Sequence, residues 1–240
     1  MKNRTLLVDG DIVAYKAAVV AETPIDWGDG FWSLHAFEKD VISHMSVFMA
    51  DIKEQSGCTD FITCLSGDNL YRKDVAPYYK ANRKGTRKPM LLHFAKKYLA
   101  DNYNGRVEDK LEADDLLGIL GSADKNTVIW SIDKDLLTVP AYHLIEGKIV
   151  EVDQEEADYN FLYQTLVGDS VDNYKGCPSV GAKTADKLLL DKGATWQTVV
   201  EAFESKGLGE EVAIENARLA RILRDGEYNF KTKEVKLWTV

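Results

Sequence analysis

The sequence predicts an α/β protein: a mostly parallel, twisted sheet with helices on both faces, followed by a helical region. Three observations predict it. Short apolar runs bounded by turn residues (TLLV at 5–8, FITCL at 61–65, TVIWSI at 127–132) alternate with helix-length segments, the pattern of a parallel sheet covered on both sides. Beyond Asp153 the patterning becomes helical throughout. With 240 residues, 45% of them hydrophobic, the chain can bury one substantial core or two small ones.

In order, the first strand is Thr5 to Val8 and a helix follows from about Asp11. Residues 34–54 read as one long helix, and Phe61 to Leu65 as the second strand. Residues 71–97, punctuated by Pro77, Gly85 and Pro89, read as an irregular excursion that emerges into a helix over 89–100. Another helix starts near Glu112, before the third strand at 127–132. Residues 142–152 suit a short ribbon turning at Glu146-Gly147. Helices are then expected over 157–167, 181–190, 195–205 and 210–223, which divides the chain into units 1–157 and 158–240.

No apolar stretch approaches the roughly 18 to 20 residues of a membrane helix, and Asp9 and Asp11 interrupt the N-terminal one, so a cytoplasmic protein without a membrane partner is expected. Cys58, Cys64 and Cys177 form no CxxC pair and read as buried, reduced thiols. A net charge of −9 argues against a polyanionic partner. Its distribution reverses that: residues 71–97 hold nine basic side chains against the single acid Asp74.

Ligands of parallel sheets sit outside the carboxyl ends of the strands. Each strand here runs into an aspartate there: Asp9 after the first, Asp68 after the second, Asp133 and Asp135 after the third. Singly, Asp9 and Asp68 are ordinary turn residues. The helix beginning Glu112-Ala113-Asp114-Asp115 carries more acid than its dipole requires, and Asp169 and Asp172 repeat the three-residue spacing of Glu112 and Asp115. Carboxylates sharing one crevice cannot all ionise unless a cation offsets them, and an all-oxygen donor set selects magnesium or manganese over zinc. Two such ions about 4 Å apart are the recurring apparatus of in-line displacement at phosphorus.

Gly176 to Thr184 (GCPSVGAKT) nearly matches a phosphate-binding P-loop, but Ala182 breaks the motif and no strand precedes it. A tight turn between two helices fits better, the second presenting N-terminal amides to a phosphate with Lys183 and Thr184 as further donors. A plain interhelical turn is the alternative.

The motifs VDGD (8–11), SGDN (66–69), YKANR (79–83), EADD (112–115), SIDKD (131–135) and GDSVDNYKGCPSVGAKTADKLL (168–189) resemble, in this order, the signatures of the 5′-to-3′ exonuclease and flap endonuclease family. The likeness is greatest to the stand-alone bacteriophage enzymes, and extends to the nuclease domain of bacterial DNA polymerase I. It implies a PIN-like sheet, a basic arch at about 71–97 and a C-terminal helix-hairpin-helix. It also implies that Asp9, Asp68, Glu112, Asp114 and Asp115 serve one metal, and Asp133, Asp135, Asp169 and Asp172 the other. Lys80 and Arg83 are the implied catalytic clamp on the scissile phosphate, with Tyr79 the aromatic beside it and Lys84 on the DNA. Gly176, Val180, Gly181, Lys183 and Thr184 belong to the implied duplex-holding hairpin, where backbone carbonyls often bind potassium. Two departures stand out: Ser179 replaces the usual glycine of the hairpin turn, and Asp11 adds an acid beside Asp9.

The expected protein is therefore a monomeric nuclease using two Mg2+ or Mn2+ ions on DNA with a 5′ end, flap or nick, with RNA–DNA hybrid as a further substrate, in phage DNA replication or degradation. Its rivals are a ribonuclease of related fold, a non-catalytic binder of branched DNA and a P-loop nucleotide hydrolase.

Overall fold

The computed structural model describes residues 4–240. Strand β1 (Thr5–Asp9) leads into α1 (Gly10–Val20), then a hairpin of β2 (Thr23–Asp26) and β3 (Trp32–His35), then α2 (Glu38–Ser56) and β4 (Asp60–Ser66). The basic segment forms the short α3 (Arg72–Val75), a 3-10 turn at Ala81–Arg83 and an extended stretch before α4 (Leu92–Asn102). Strand β5 (Gly105–Glu108), α5 (Ala113–Ala123), β6 (Thr127–Trp130) and the ribbon of β7 (Tyr142–Ile145) and β8 (Lys148–Glu151) complete the sheet. Helices α6 (Gln154–Val167), α7 (Ala182–Lys192), α8 (Trp196–Glu204) and α9 (Glu210–Ala220) follow, and the two-residue strands β9 (Tyr228–Asn229) and β10 (Glu234–Val235) close the chain.

The main sheet has the order β5-β4-β1-β6-β7-β8, parallel except for β8 at one edge. Strand β1 is apolar on both faces because both are covered. Leu6 and Val8 pack with Val13, Ala17, Met45 and Leu99, while Leu7 packs on the other side with Leu116, Leu117 and Ile129. The chain first builds outward from β1 through β4 to β5 and later returns to its other side as β6. That reversal opens a crevice beyond the carboxyl ends of β1 and β6. Gly10 permits α1 to start there: a Cβ would stand 2.6 Å from Thr63 Cγ2 and 2.8 Å from the Cys64 carbonyl oxygen.

Helices α6 to α9 surround Phe161, Leu166, Leu189, Phe203 and Ala217, and Ala76 and Tyr79 of the basic segment join this core. Residues after α9 return to the sheet unit, where Leu223 and Tyr228 pack with Tyr71, Leu111 and Ile119. The division expected at 157/158 falls inside α6.

Two expectations needed correction. Residues 34–37 are not helical: Leu34 and His35 end β3, which pairs antiparallel with β2. Strand β5 and the β9–β10 ribbon were absent from the sequence reading, being too short for a period-2 pattern. All three cysteines are buried and free. Among the described residues no helix is long and apolar enough to cross a membrane.

Candidate active site

The crevice, of about 400 Å³, is lined by Asp9, Asp11, Glu112, Asp114, Asp133, Asp135, Asp169 and Asp172, with Lys80 and Arg83 among them. Local structure fixes each acid. Asp9 ends β1 and caps α1, accepting from the Ile12 amide (3.1 Å) and the Ser131 hydroxyl (2.7 Å). Glu112 caps α5 in a reciprocal capping box with Asp115. Asp133 caps the 3-10 turn after β6 by accepting from the Asp135 amide at 2.9 Å. Asp169 and Asp172 stand on the loop after α6, where Asp169 accepts from the Val171 amide at 2.7 Å. Among the described residues, no group of three carboxylates forms a closed metal cage.

Burial, and after it the crowding of like charge, raises three of these acids. Burial, with help from Asp11 and Asp133, pushes Asp9 up to about 6 against the hydrogen bonds that lower it. Burial, then Asp133, Asp169 and Asp172, push Asp135 up to about 7. Asp114, hemmed in by protein though still touching the crevice, is raised far above the carboxylate range by burial and then by Asp9, Asp133 and Glu112. Glu112 goes the other way: burial would raise it, but Arg72 and Lys80 outweigh burial and hold it low. The crevice thus gathers more carboxylate than its own cations offset.

Lys80 and Arg83 face the acids from the opposite wall. The Lys80 ammonium contacts Glu112 closely and lies 3.3 Å from Asp172, while Arg83 Nη2 reaches Asp172 at 2.5 Å. The two loops are latched together. The Lys80 amide donates to the Asp172 carbonyl (2.9 Å), Asn82 to Ser170 O (3.0 Å) and Asn173 to Tyr78 O (2.7 Å). Lys80 adopts φ +55, a conformation that an L residue holds only where surrounding contacts over-determine it.

Several expected residues are placed elsewhere. Asp68 is exposed and lines a neighbouring pocket with Lys88, His93 and Lys96. Asp115 is fully buried and points inward to Arg72. Tyr79 lines the crevice but is only 3% exposed, and its hydroxyl lies 2.9 Å from Glu112 Oε2 and 2.8 Å from Asp172 Oδ2, bracing both acids. Lys84 is exposed and outside the crevice lining. The sequence reading left Asp11 open and missed Arg72 and Ser131. Asp11 reaches the crevice wall, accepts from the Ser66 amide and pairs with Lys96 at 2.8 Å.

The segment Gly168 to Leu189 forms a compact loop and then α7, with α6 rather than a strand before it, which removes the P-loop reading. Gly168 and Gly176 cross backbone to backbone: a Cβ on Gly168 would stand 2.3 Å from the Gly176 nitrogen. Gly176 and Val180 are buried, so they shape the hairpin and do not contribute to its outer face. That face is Gly181, Lys183 and Thr184, exposed at the open N-terminus of α7. The Val180 amide closes a turn onto the Cys177 carbonyl (3.1 Å), with Pro178 first and Ser179 second at its corner. Ser179 has φ +62, as the second corner of a type II turn demands. Ser179→Gly is therefore expected to stabilise: relief of about 1–2 kcal/mol of left-handed strain outweighs a glycine entropy cost of about 0.5–1 kcal/mol. Thermal unfolding should show Tm higher by about 2 °C; a fall would mean that Ser179 is unstrained.

No protein-family model matches the chain. The exodeoxyribonuclease of Enterobacteria phage T3 is 29% identical, covering 98% of this chain and 92% of its own length. The exonuclease of Escherichia phage T7 is 27% identical over 97% of this chain and 92% of its length. DNA polymerase I of Rhizobium leguminosarum matches at 29% identity over 65% of this chain and 17% of the polymerase. Among solved structures, phage T5 5′-exonuclease with bound zinc superposes with a TM-score of 0.64 at 16% identity, covering 90% of this chain and 89% of that one. The T5 D15 flap endonuclease, in a pseudo-enzyme-product complex with DNA and metal ions, gives 0.60 at 16% identity, covering 90% and 88%. These two share the fold. Sequence likeness along nearly the whole chain, joined to that fold and to acids at the ends of its strands, makes the protein similar to the phage enzymes of the 5′-to-3′ exonuclease and flap endonuclease family.

Proposed function

We propose that the protein hydrolyses phosphodiester bonds at or near the 5′ ends of duplex, nicked or flapped DNA, with two divalent cations at its crevice. The observation that carries this reading is the convergence of seven expected metal-ligand carboxylates, from Asp9 to Asp172, on one crevice faced by Lys80 and Arg83. The donors fit the ions: all are carboxylate oxygens, as magnesium and manganese prefer, and their mutual repulsion calls for added positive charge. Asp9, Glu112 and Asp114 would hold one ion, and Asp133, Asp135, Asp169 and Asp172 the other. Bound there, the pair would supply an activated water and charge neutralisation at the leaving oxygen.

The chain's own groups do the rest. Ser131 and the Ile12 amide aim Asp9, and Arg72 and Tyr79 hold Glu112. Asp115 supports Glu112 from behind, and Asp68 stands outside the ligand set. Lys80 and Arg83 exchange their carboxylate partners for the scissile phosphate. The open amides of α7, with Lys183 and Thr184, track the duplex backbone, and a potassium ion would sit on carbonyls of the preceding turn. RNA–DNA hybrid would be a second substrate, the protein would act as a monomer, and phage DNA replication or degradation is the setting we infer from its likeness to phage exonucleases.

The test is incubation of 5′-labelled single strand, nicked duplex, 5′ flap and RNA–DNA hybrid with magnesium. Shortening from the 5′ end on duplex or flap supports the reading; intact substrates throughout overturn it. Lys80→Ala and Arg83→Ala are expected to lower kcat about 100-fold while KM moves less than about threefold, since a cation aimed at a phosphate gaining charge acts in the transition state. Steady-state kinetics on a nicked duplex decide; a raised KM at constant kcat would make the pair simple binders.

A further inference from the structure

A second concavity of about 590 Å³ adjoins the crevice, between the end of β4, strand β5 and the start of α4. The two share a wall. Ser66 lines both, and Lys96 in the second pocket holds Asp11 of the first at 2.8 Å. The pocket floor is apolar, with Pro89, Met90, Leu92 and Val107, and Met90 and Val107 are 54% and 49% exposed. Its rim is polar. Lys88 and His93 stand there without an ion pair among the described residues, while Lys96 and Lys97 are committed to Asp11 and Asp101. Asp68, exposed on the same rim, limits how much negative charge the pocket accepts.

An apolar floor of this size beneath a few polar groups is the lining of a small-molecule site, and a phosphate alone needs no such floor. A nucleobase does, because every base offers an apolar face whatever its sequence. One uncommitted ammonium and one imidazole opposed by one carboxylate suit a single phosphate. The position also fits: Lys80 and Arg83 in the crevice and Lys88 on the rim belong to the same stretch of chain. We propose that this pocket receives the 5′-terminal nucleotide of the substrate, its base against Met90, Leu92 and Val107 and its 5′-phosphate on Lys88 and His93. The inference rests on the 5′-nuclease reading. It makes the pocket the element that places the first phosphodiester over the carboxylates and thereby sets the length of the released product.

Two measurements test it. Saturation-transfer NMR on the metal-free protein, with dAMP as the probe and inorganic phosphate as competitor, should show the adenine protons in contact with wild type. Val107→Trp, which fills the pocket from a half-exposed strand position, and Met90→Asp, which polarises its floor from a loop, should each weaken binding about tenfold. On a 5′-phosphorylated, end-labelled duplex with magnesium, wild type should release mononucleotides first, and both variants should shift the first product to longer fragments. Equal dAMP binding in wild type and variants, or its complete displacement by phosphate, overturns the pocket. So do unchanged product lengths, which leave the nuclease reading in place. Wild type that cleaves nothing overturns the nuclease reading, and the NMR arm still decides whether the pocket binds a nucleotide.

Discussion

Asp133→Asn is expected to lower the rate of cleavage by at least about 1000-fold while leaving DNA affinity within about threefold of wild type. Asparagine keeps the side-chain oxygen that caps the turn by accepting from the Asp135 amide, and Asp133 is exposed, so neither folding nor packing is at stake. The charge is what disappears. Asp133 raises both Asp9 and Asp114, so it belongs electrostatically to the whole carboxylate set and not only to its own loop. Losing one anionic donor weakens cation binding and the stabilisation of charge at the leaving oxygen together, effects worth several kcal/mol in a preorganised site. Single-turnover cleavage of a nicked duplex, with and without EDTA, measures it, alongside gel-shift affinity. Wild-type rates in EDTA, or an Asp133→Asn variant within tenfold of wild type, would remove divalent cations from the reaction.

The site was legible where strand chemistry dictated it. β1 is apolar and ends in Asp9, and apolar β6 is followed within five residues by Asp133 and Asp135, so these acids could be placed at the sheet edge from local pattern alone. Asp68 follows the same rule after β4 yet leaves the crevice, because the chain turns at Gly67. A Cβ there would stand 2.1 Å from the Glu108 carbonyl oxygen, and the next residue is carried toward β5 and held through its carbonyl by the Lys110 amide. Asp115 shares a helical face with Glu112 as its spacing predicts, but which way that face turns depends on Arg72. Nothing separates Arg72 from eight neighbouring bases in sequence, since its acceptors at Leu219 and Arg221 lie almost 150 residues away. The β2–β3 hairpin had a local signal that was passed over: Gly28, Asp29 and Gly30 all adopt positive φ, and the Asp26 carboxylate caps the Gly28 amide at 2.9 Å.

Arg72→Met is expected to have the largest effect on stability of any single substitution at the site. The guanidinium, 3% exposed, makes five hydrogen bonds. Two join Asp115 at 2.7 Å, one joins Glu112 at 2.9 Å, and two reach the carbonyls of Leu219 (3.1 Å) and Arg221 (2.5 Å) at the end of α9. Sheet unit, basic segment and C-terminal layer meet at this one side chain. Methionine fills similar space but leaves two acids and two carbonyls without their partner, and breaking a buried pair from one side costs about 3–5 kcal/mol. At about 2–4 °C per kcal/mol for a chain of this size, Tm should fall by about 10 °C. Arg72→Lys should recover little, since one ammonium cannot span acceptors on three elements. Adding Asp115→Asn to Arg72→Met should recover part of the loss, because it removes the stranded charge and keeps one oxygen, enough for one of the Glu112 and Leu223 amides that bond the two oxygens of Asp115. Calorimetry or circular dichroism on wild type, Arg72→Met, Asp115→Asn and the double variant measures the cycle. A shift under 2 °C for Arg72→Met, or no recovery in the double variant, would mean that the layers are held by apolar packing and that the buried charges contribute little.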